Sequence, residues 1–172
     1  MKRREFIKGS LAAGSMVAAS GLSYGSEFIR PLNNGMKYNT LGRTGVKVSN
    51  IGYGCAPLGW GTLTQEEVNE LILRAVDLGI NYFDTAPNYR NAEERMGEVV
   101  PSIRDKIFLV SKTEAHDYDG TWKLLEQSLN RMKIDTIDLI HIHNFGHEGR
   151  FEDIDFVLSK NGALGALQEA KR

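Results

Sequence analysis

The sequence predicts an α/β protein made of βα units, four of them, in the manner of the first half of a (β/α)8 TIM barrel. Short apolar runs suited to strands recur roughly every 30 residues, with helical patterns between them, where sandwich strands would recur about every 8–12. The polar residues able to do chemistry, Cys55, Asp84, Lys112 and His143, all sit where those runs end. Active groups gather at the carboxyl ends of the strands in a barrel. An open doubly wound sheet is the alternative with the same repeat.

The elements follow in order. Residues 37–50, with Gly42, Gly45 and alternating Val46 and Val48, predict a hairpin ahead of the repeat. Residues 51–54 form the first strand, which enters a Gly-rich loop running to Gly61. Thr64 and Glu67 stand at capping-box spacing, and Val68, Leu71, Ile72, Ala75 and Val76 follow at helical spacing until Gly79. The second unit pairs a strand over 80–84 with a helix over 92–100, Pro101 lying just past its end. The third pairs 107–111 with a helix over 121–132 that places Leu124, Leu125, Ser128 and Leu129 on one face. The fourth pairs a strand over 136–143 with a last helix within 162–171. An eight-stranded barrel takes about 250 residues, so a chain of 172 is expected to be truncated.

The first 25 residues have another character. Lys2, Arg3, Arg4 and Lys8 precede a weakly apolar run from Gly9 to Leu22, the layout of a secretory leader. The adjacent arginines resemble the bacterial twin-arginine export signal. The run is too short and Gly-rich to span a membrane stably. The expected organisation is therefore a signal peptide over 1–25, a linker over 26–36 and the barrel half over 37–172. The expected destination is the periplasm, reached by the twin-arginine machinery.

Composition narrows the function. With 21 basic against 22 acidic residues and no basic block, nothing favours a nucleic-acid partner. The only cysteine is Cys55, which excludes an intrachain disulfide. Lys112, at a buried strand end, needs a partner because an unpaired buried ammonium costs several kcal/mol, roughly. Asp84 on the adjacent strand is the candidate. A lysine held there would stabilise the tyrosinate form of Tyr89 and make its phenol a usable general acid.

Read together, "LGRTGVKVSNIGYGC", "NYFDTAPNYRNAEERMGE", "FLVSKT", "SLNRMKIDTIDLIHIHN" and "GALGALQEAK" resemble the aldo-keto reductase family in order and spacing. The resemblance implies a (β/α)8 barrel that reduces carbonyl compounds with NADPH or NADH, the substrate being a small molecule. It implies that Tyr89 donates a proton to the substrate oxygen, Lys112 tunes Tyr89, Asp84 holds Lys112 and His143 orients the carbonyl. By the same resemblance, backbone and side chains of Gly54, Cys55 and Ala56 lie against the cofactor, and Trp60 and Asn144 line the substrate pocket. No metal is implied.

Two features depart from that pattern. His141 stands two residues before His143, on the same strand face, where the family has an aliphatic residue. Paired histidines suit a metal-dependent hydrolase, with His147 and Asp84 as further ligands. Strands five to eight, which carry most cofactor contacts in the family, are absent from the sequence. A chain so shortened is expected to be inactive alone, or to survive as a non-catalytic half-barrel with exposed edges.

Overall fold

The structure, a computed structural model, describes residues 35–145 and 153–171. The leader expected over 1–25, residues 26–34 of the expected linker and His147 lie outside the described residues. Strands β1 (Tyr38–Thr40) and β2 (Lys47–Ser49) pair antiparallel as the expected hairpin. Its turn uses Gly42 and Gly45 at φ of 52° and 78°, a region that costs other residues energy.

Four parallel strands follow: β3 (Gly52–Gly54), β4 (Tyr82–Asp84), β5 (Phe108–Thr113) and β6 (Leu139–Ile142), side by side in that order. Sequential order is the winding of a barrel, because right-handed crossovers made in one direction put every helix on the same face. The helix-side core shows this. Phe83 and Leu109, fully buried, share a cluster with Val68, Ile72, Met96, Val100 and Met132. Residues of the opposite parity, Tyr82, Phe108, Val110 and Leu139, meet the hairpin's Leu41, Val46 and Val48 instead. The hairpin thus covers the amino-terminal part of the inner face. Asn81 fastens it: its Oδ1 accepts from Ser49 N at 2.7 Å and its Nδ2 donates to the Lys47 carbonyl at 2.9 Å.

The helices correct several expectations. A short helix α1 (Ala56–Trp60) occupies the expected Gly-rich loop, with Pro57 in its first turn. Helix α2 (Gln65–Asp77) carries the complete Thr64/Glu67 capping box, worth about 1 kcal/mol, and buries Val68, Ile72, Ala75 and Val76. Leu71 is left exposed. The single helix expected over 92–100 is two, α3 (Ala92–Met96) and α4 (Val100–Ile103). Pro101 lies in the first turn of α4, where its missing N–H has no intrahelical partner to lose, so it starts a helix instead of following one. A 3-10 turn (Arg104–Lys106) leads into β5.

Helix α5 (Tyr118–Met132) begins three residues earlier than expected because Asp117 caps it through Gly120 N at 2.8 Å. Helices α6 (Ile154–Val157) and α7 (Ala163–Ala170) close the described chain, and α7 packs Ala166 against Trp122 and Leu125 of α5. Among the described residues no helix is long and apolar enough to cross a membrane.

One buried charge lies between α3, α5 and β5. Glu93 is 1% exposed, accepts from Ser111 Oγ at 2.9 Å and stands 3.5 Å from Arg131 Nη1. Burial pushes its carboxyl up from the usual glutamate range, against the lowering effect of hydroxyl hydrogen bonds and Arg131. The folded chain therefore holds this proton over a pH window in which the unfolded chain has lost it. Stability from this group is full below the ordinary glutamate range and declines as pH rises through the raised folded value. Glu93→Gln should remove that decline: urea midpoints of the two proteins should draw apart as pH rises from about 4 to 8, and curves that stay parallel would show that the window does not exist.

Candidate active site

Strand register brings the polar residues to one end of the inner face. Gly54 stands opposite Asp84, Asp84 opposite Val110, and Lys112 opposite His141. In parallel pairs opposed residues share a face, so Gly54, Asp84, Lys112 and His141 all belong to the inner one. His143 lies one step beyond, its backbone N donating to the Thr113 carbonyl at 2.8 Å.

Lys112 is the centre of the cluster. Its ammonium donates to Asp84 Oδ1 at 2.5 Å and to the Thr85 carbonyl at 2.8 Å. The side chains are 11% and 32% exposed, so the pair is partly desolvated and its attraction exceeds that of a surface ion pair. The same ammonium stands over the Tyr89 ring, 4.8 Å from its centroid. The expected partnership of Asp84 with Lys112, and the nearness of Lys112 to Tyr89, are both present.

Tyr89 is placed by a tight loop. Thr85 N donates to the Val110 carbonyl, Tyr89 N to the Ala86 carbonyl and Ala92 N to the Tyr89 carbonyl, at 2.8, 3.1 and 3.0 Å. Arg131 Nη1 donates to the Pro87 carbonyl at 3.1 Å and ties the loop to α5. Helix α1 packs so closely on it that a Cβ on Gly59 would lie 1.9 Å from the Tyr89 carbonyl oxygen. Only glycine fits there. The next residue, Arg90, has φ of 51°, a left-handed conformation that costs about 1 kcal/mol or more away from glycine.

Around the phenol, Trp60 lies 5.5 Å away by ring centroid and His143 lies 6.0 Å away, edge-on at 84°. Trp60 is 49% exposed and so is available to a pocket rather than spent in the core. Asn144, exposed and at φ of 57°, turns the chain after His143.

The Gly54–Cys55–Ala56 assignment is corrected in one part. Cys55 is fully buried in the helix-side cluster, so its side chain does not lie on the inner face. Burial first, and Asp84 second, push its thiol far above the usual range, which removes it as a nucleophile. Its backbone N donates to the Asp84 carbonyl at 2.8 Å and keeps β3 and β4 in step. Gly54 is exposed, and a Cβ built on it would meet nothing within 4 Å. That leaves open space at the level of Asp84 where a flat ring can approach.

Among the described residues no group of three His, Cys, Asp or Glu is placed to hold a metal ion. Asp84, proposed as a ligand, is engaged by Lys112.

Sequence reasoning missed several residues that set this geometry. Glu114 and Asn88 join across the mouth, Asn88 Nδ2 donating to Glu114 Oε1 at 2.7 Å. Glu114 stands two residues after Lys112, the period of a strand face, and that was the available signal. Arg95 donates to the Leu58, Leu63 and Thr64 carbonyls and sews the chain between α1 and α2 onto α3. Nothing in the spacing of an arginine within "NAEERMGE" indicates that role.

The family model described as the Aldo/keto reductase family matches residues 50–169. L-galactose dehydrogenase of Arabidopsis thaliana is 29% identical over 150 residues, covering 80% of this chain and 45% of that protein. The 6-dehydroglucose reductase of Novosphingobium aromaticivorans is 32% identical over 126 residues, covering 62% and 41%. Among solved structures, a Pseudomonas aeruginosa protein assigned to the aldo-keto reductases superposes with a TM-score of 0.70 at 31% identity, covering 84% of this chain and 58% of that one. The chain spans about half the length of the curated relatives it matches. A parallel sheet wound in one direction, a hairpin across one end of its inner face and a matched span that takes in β3 through α7 lead to one conclusion: the chain belongs to the aldo/keto reductase family.

Proposed function

We propose that this chain carries the acid–base residues of a carbonyl reductase that uses NADPH or NADH, within a complete barrel that contains it. The observation that carries the reading is the Lys112 ammonium, held by Asp84 Oδ1 at 2.5 Å and seated over the Tyr89 ring. A fixed cation against the phenol ring can stabilise the negative charge that develops on the oxygen during proton transfer. In this reading Tyr89 protonates the substrate oxygen, Lys112 supports the resulting phenolate, Asp84 fixes Lys112 and His143 orients the carbonyl. The open space beside Gly54, with the Cys55 backbone and Ala56, suits the nicotinamide, which when bound supplies the hydride. Trp60 and Asn144 would border the substrate.

The test is carbonyl reduction by Tyr89→Phe against the parent protein, over aldehydes, ketones and sugar-type carbonyls. The last class is included because two relatives are named for sugars.

We further propose that residues 1–25 are a twin-arginine leader, 26–36 a linker and 37–172 the barrel portion, and that the protein is exported to the periplasm. Arg3 beside Arg4, ahead of a weakly apolar run, supports this. Replacing both arginines with lysine should leave the leader attached and the protein in the cytoplasm. Processing at the parent rate in the double variant would refute it.

A further inference from the structure

The segment from Leu58 to Thr64 runs from α1 to the N-cap of α2 and carries Trp60, whose ring lies 5.5 Å by centroid from that of Tyr89. Leu58 is buried in the helix-side core and Leu63 packs against it. Apolar burial is non-directional, so it fixes how deep the segment sits more than how its backbone turns. Direction comes from one guanidinium. Arg95, in the last turn of α3, donates through Nη1 to the Leu58 carbonyl at 2.7 Å. Its Nη2 donates to the Leu63 carbonyl and, at 2.8 Å, to the Thr64 carbonyl. Carbonyls in the last turn of a helix have no donor within it, which leaves the Leu58 oxygen open to this bond. The tie is returned from α2, where Gln65 Nε2 donates to the Arg95 carbonyl at 2.9 Å.

Trp60 lies inside the stretch so held, with Leu58 before it and Leu63 and Thr64 after it. The start of α3 limits the same stretch: a Cβ on Gly59 would lie 1.9 Å from the Tyr89 carbonyl oxygen and 3.1 Å from Ala92 N. The indole itself is 49% exposed, so its own burial does little to hold it and its place follows the backbone.

We propose that Arg95 is a positioning residue: by holding the carbonyls on both sides of Trp60, it keeps the indole against the Tyr89 ring and so sets the wall a substrate would meet. Only the substrate wall rests on the carbonyl-reducing reading. Three separate acceptors are met by two nitrogens of a rigid planar fork, whereas lysine would bring one ammonium on a flexible stem. Bonds from a charged donor are also stronger than neutral ones, so three together are well suited to fixing a stretch outside any strand.

The experiment is fluorine NMR of the 172-residue chain labelled with fluorotryptophan. The chain has two tryptophans, and Trp60 is assigned by the resonance lost in Trp60→Phe. Trp122, 7% exposed and packed with Leu125 and Ala166, reports on the rest of the fold. In Arg95→Met, which keeps an unbranched stem and loses all three bonds, the Trp60 resonance should shift. Its difference between light and heavy water should grow as the indole leaves Tyr89 for solvent, with Trp122 unmoved. Arg95→Lys, the more conservative change, should move Trp60 in the same direction. A Trp60 resonance at its parental position in both variants would overturn the proposal. Equal displacement of Trp60 and Trp122 would overturn it too, since that marks general loosening. In a complete barrel that reduces carbonyls, Arg95→Met should raise KM more than it lowers kcat, because the Asp84–Lys112–Tyr89 arrangement is untouched. The opposite split would overturn the substrate-wall role. The fluorine readout needs no turnover, so a Trp60 shift in a protein that reduces no carbonyl would refute the proposed function and leave the clamp standing.

Discussion

Tyr89→Phe is expected to lower carbonyl reduction by about 10²–10⁴-fold, the contribution of a well-placed general acid, while leaving the fold intact. The substitution deletes one hydroxyl and keeps the ring. Every packing contact described for that residue is made by the ring: Trp60 at 5.5 Å, His143 edge-on at 6.0 Å and the Lys112 ammonium at 4.8 Å from the centroid. The loop itself is held by backbone bonds at Tyr89 N and Tyr89 O, which phenylalanine keeps. A thermal melt within a degree or so of the parent, together with collapse of cofactor oxidation on every carbonyl tested, is the expected pair of results. Reduction at near-parental rate would end the assignment of Tyr89 as proton donor. The assay belongs in a complete barrel carrying this chain, since the described sheet supplies four strands of such a barrel.

Why so much of this site was legible in sequence has a physical answer. Asp84 and Lys112 are fixed by strand period and register, and both are set by which residues are apolar, so their pairing across β4 and β5 follows from the alternation of Phe83, Leu109 and their neighbours. What was not legible depends on close approach. Gly59 is required by a carbonyl from a loop 30 positions away, and nothing local distinguishes it from any other loop glycine. The splitting of α3 from α4 has a similar origin. A Cβ on Gly97 would lie 2.2 Å from the Arg131 carbonyl, so α3 meets α5 where the longer helix was expected to continue. Cys55 is a case of side-chain direction: the family resemblance implied that its side chain as well as its backbone meets the cofactor, whereas the side chain packs in the helix-side cluster and the backbone N is bonded to the Asp84 carbonyl.

Asp84→Asn is the second large effect, and it separates charge from shape. Asparagine has nearly the volume of aspartate and keeps an oxygen where Oδ1 accepts from Lys112, so packing is preserved and the counter-charge is lost. Removing one member of a fully buried ion pair costs about 3–5 kcal/mol. With Asp84 32% exposed, water can recover part of that, and a loss of about 2 kcal/mol is expected. Activity should fall by about 10²-fold or more, because a neutral amide oxygen and the Thr85 carbonyl hold the ammonium beside Tyr89 less firmly than the carboxylate does. Adding Lys112→Met removes the stranded charge. The double variant should therefore be more stable than Asp84→Asn alone, a coupling of opposite sign to simple additivity, while remaining as inactive as Lys112→Met. Denaturant midpoints and turnover of the four proteins give both axes of that cycle. If the two substitutions instead add independently in stability, the Asp84–Lys112 contact is not the source of the loss. If stability couples as expected but Lys112→Met still reduces carbonyls, the lysine belongs to the architecture of the β4–β5 edge and not to the proton donor.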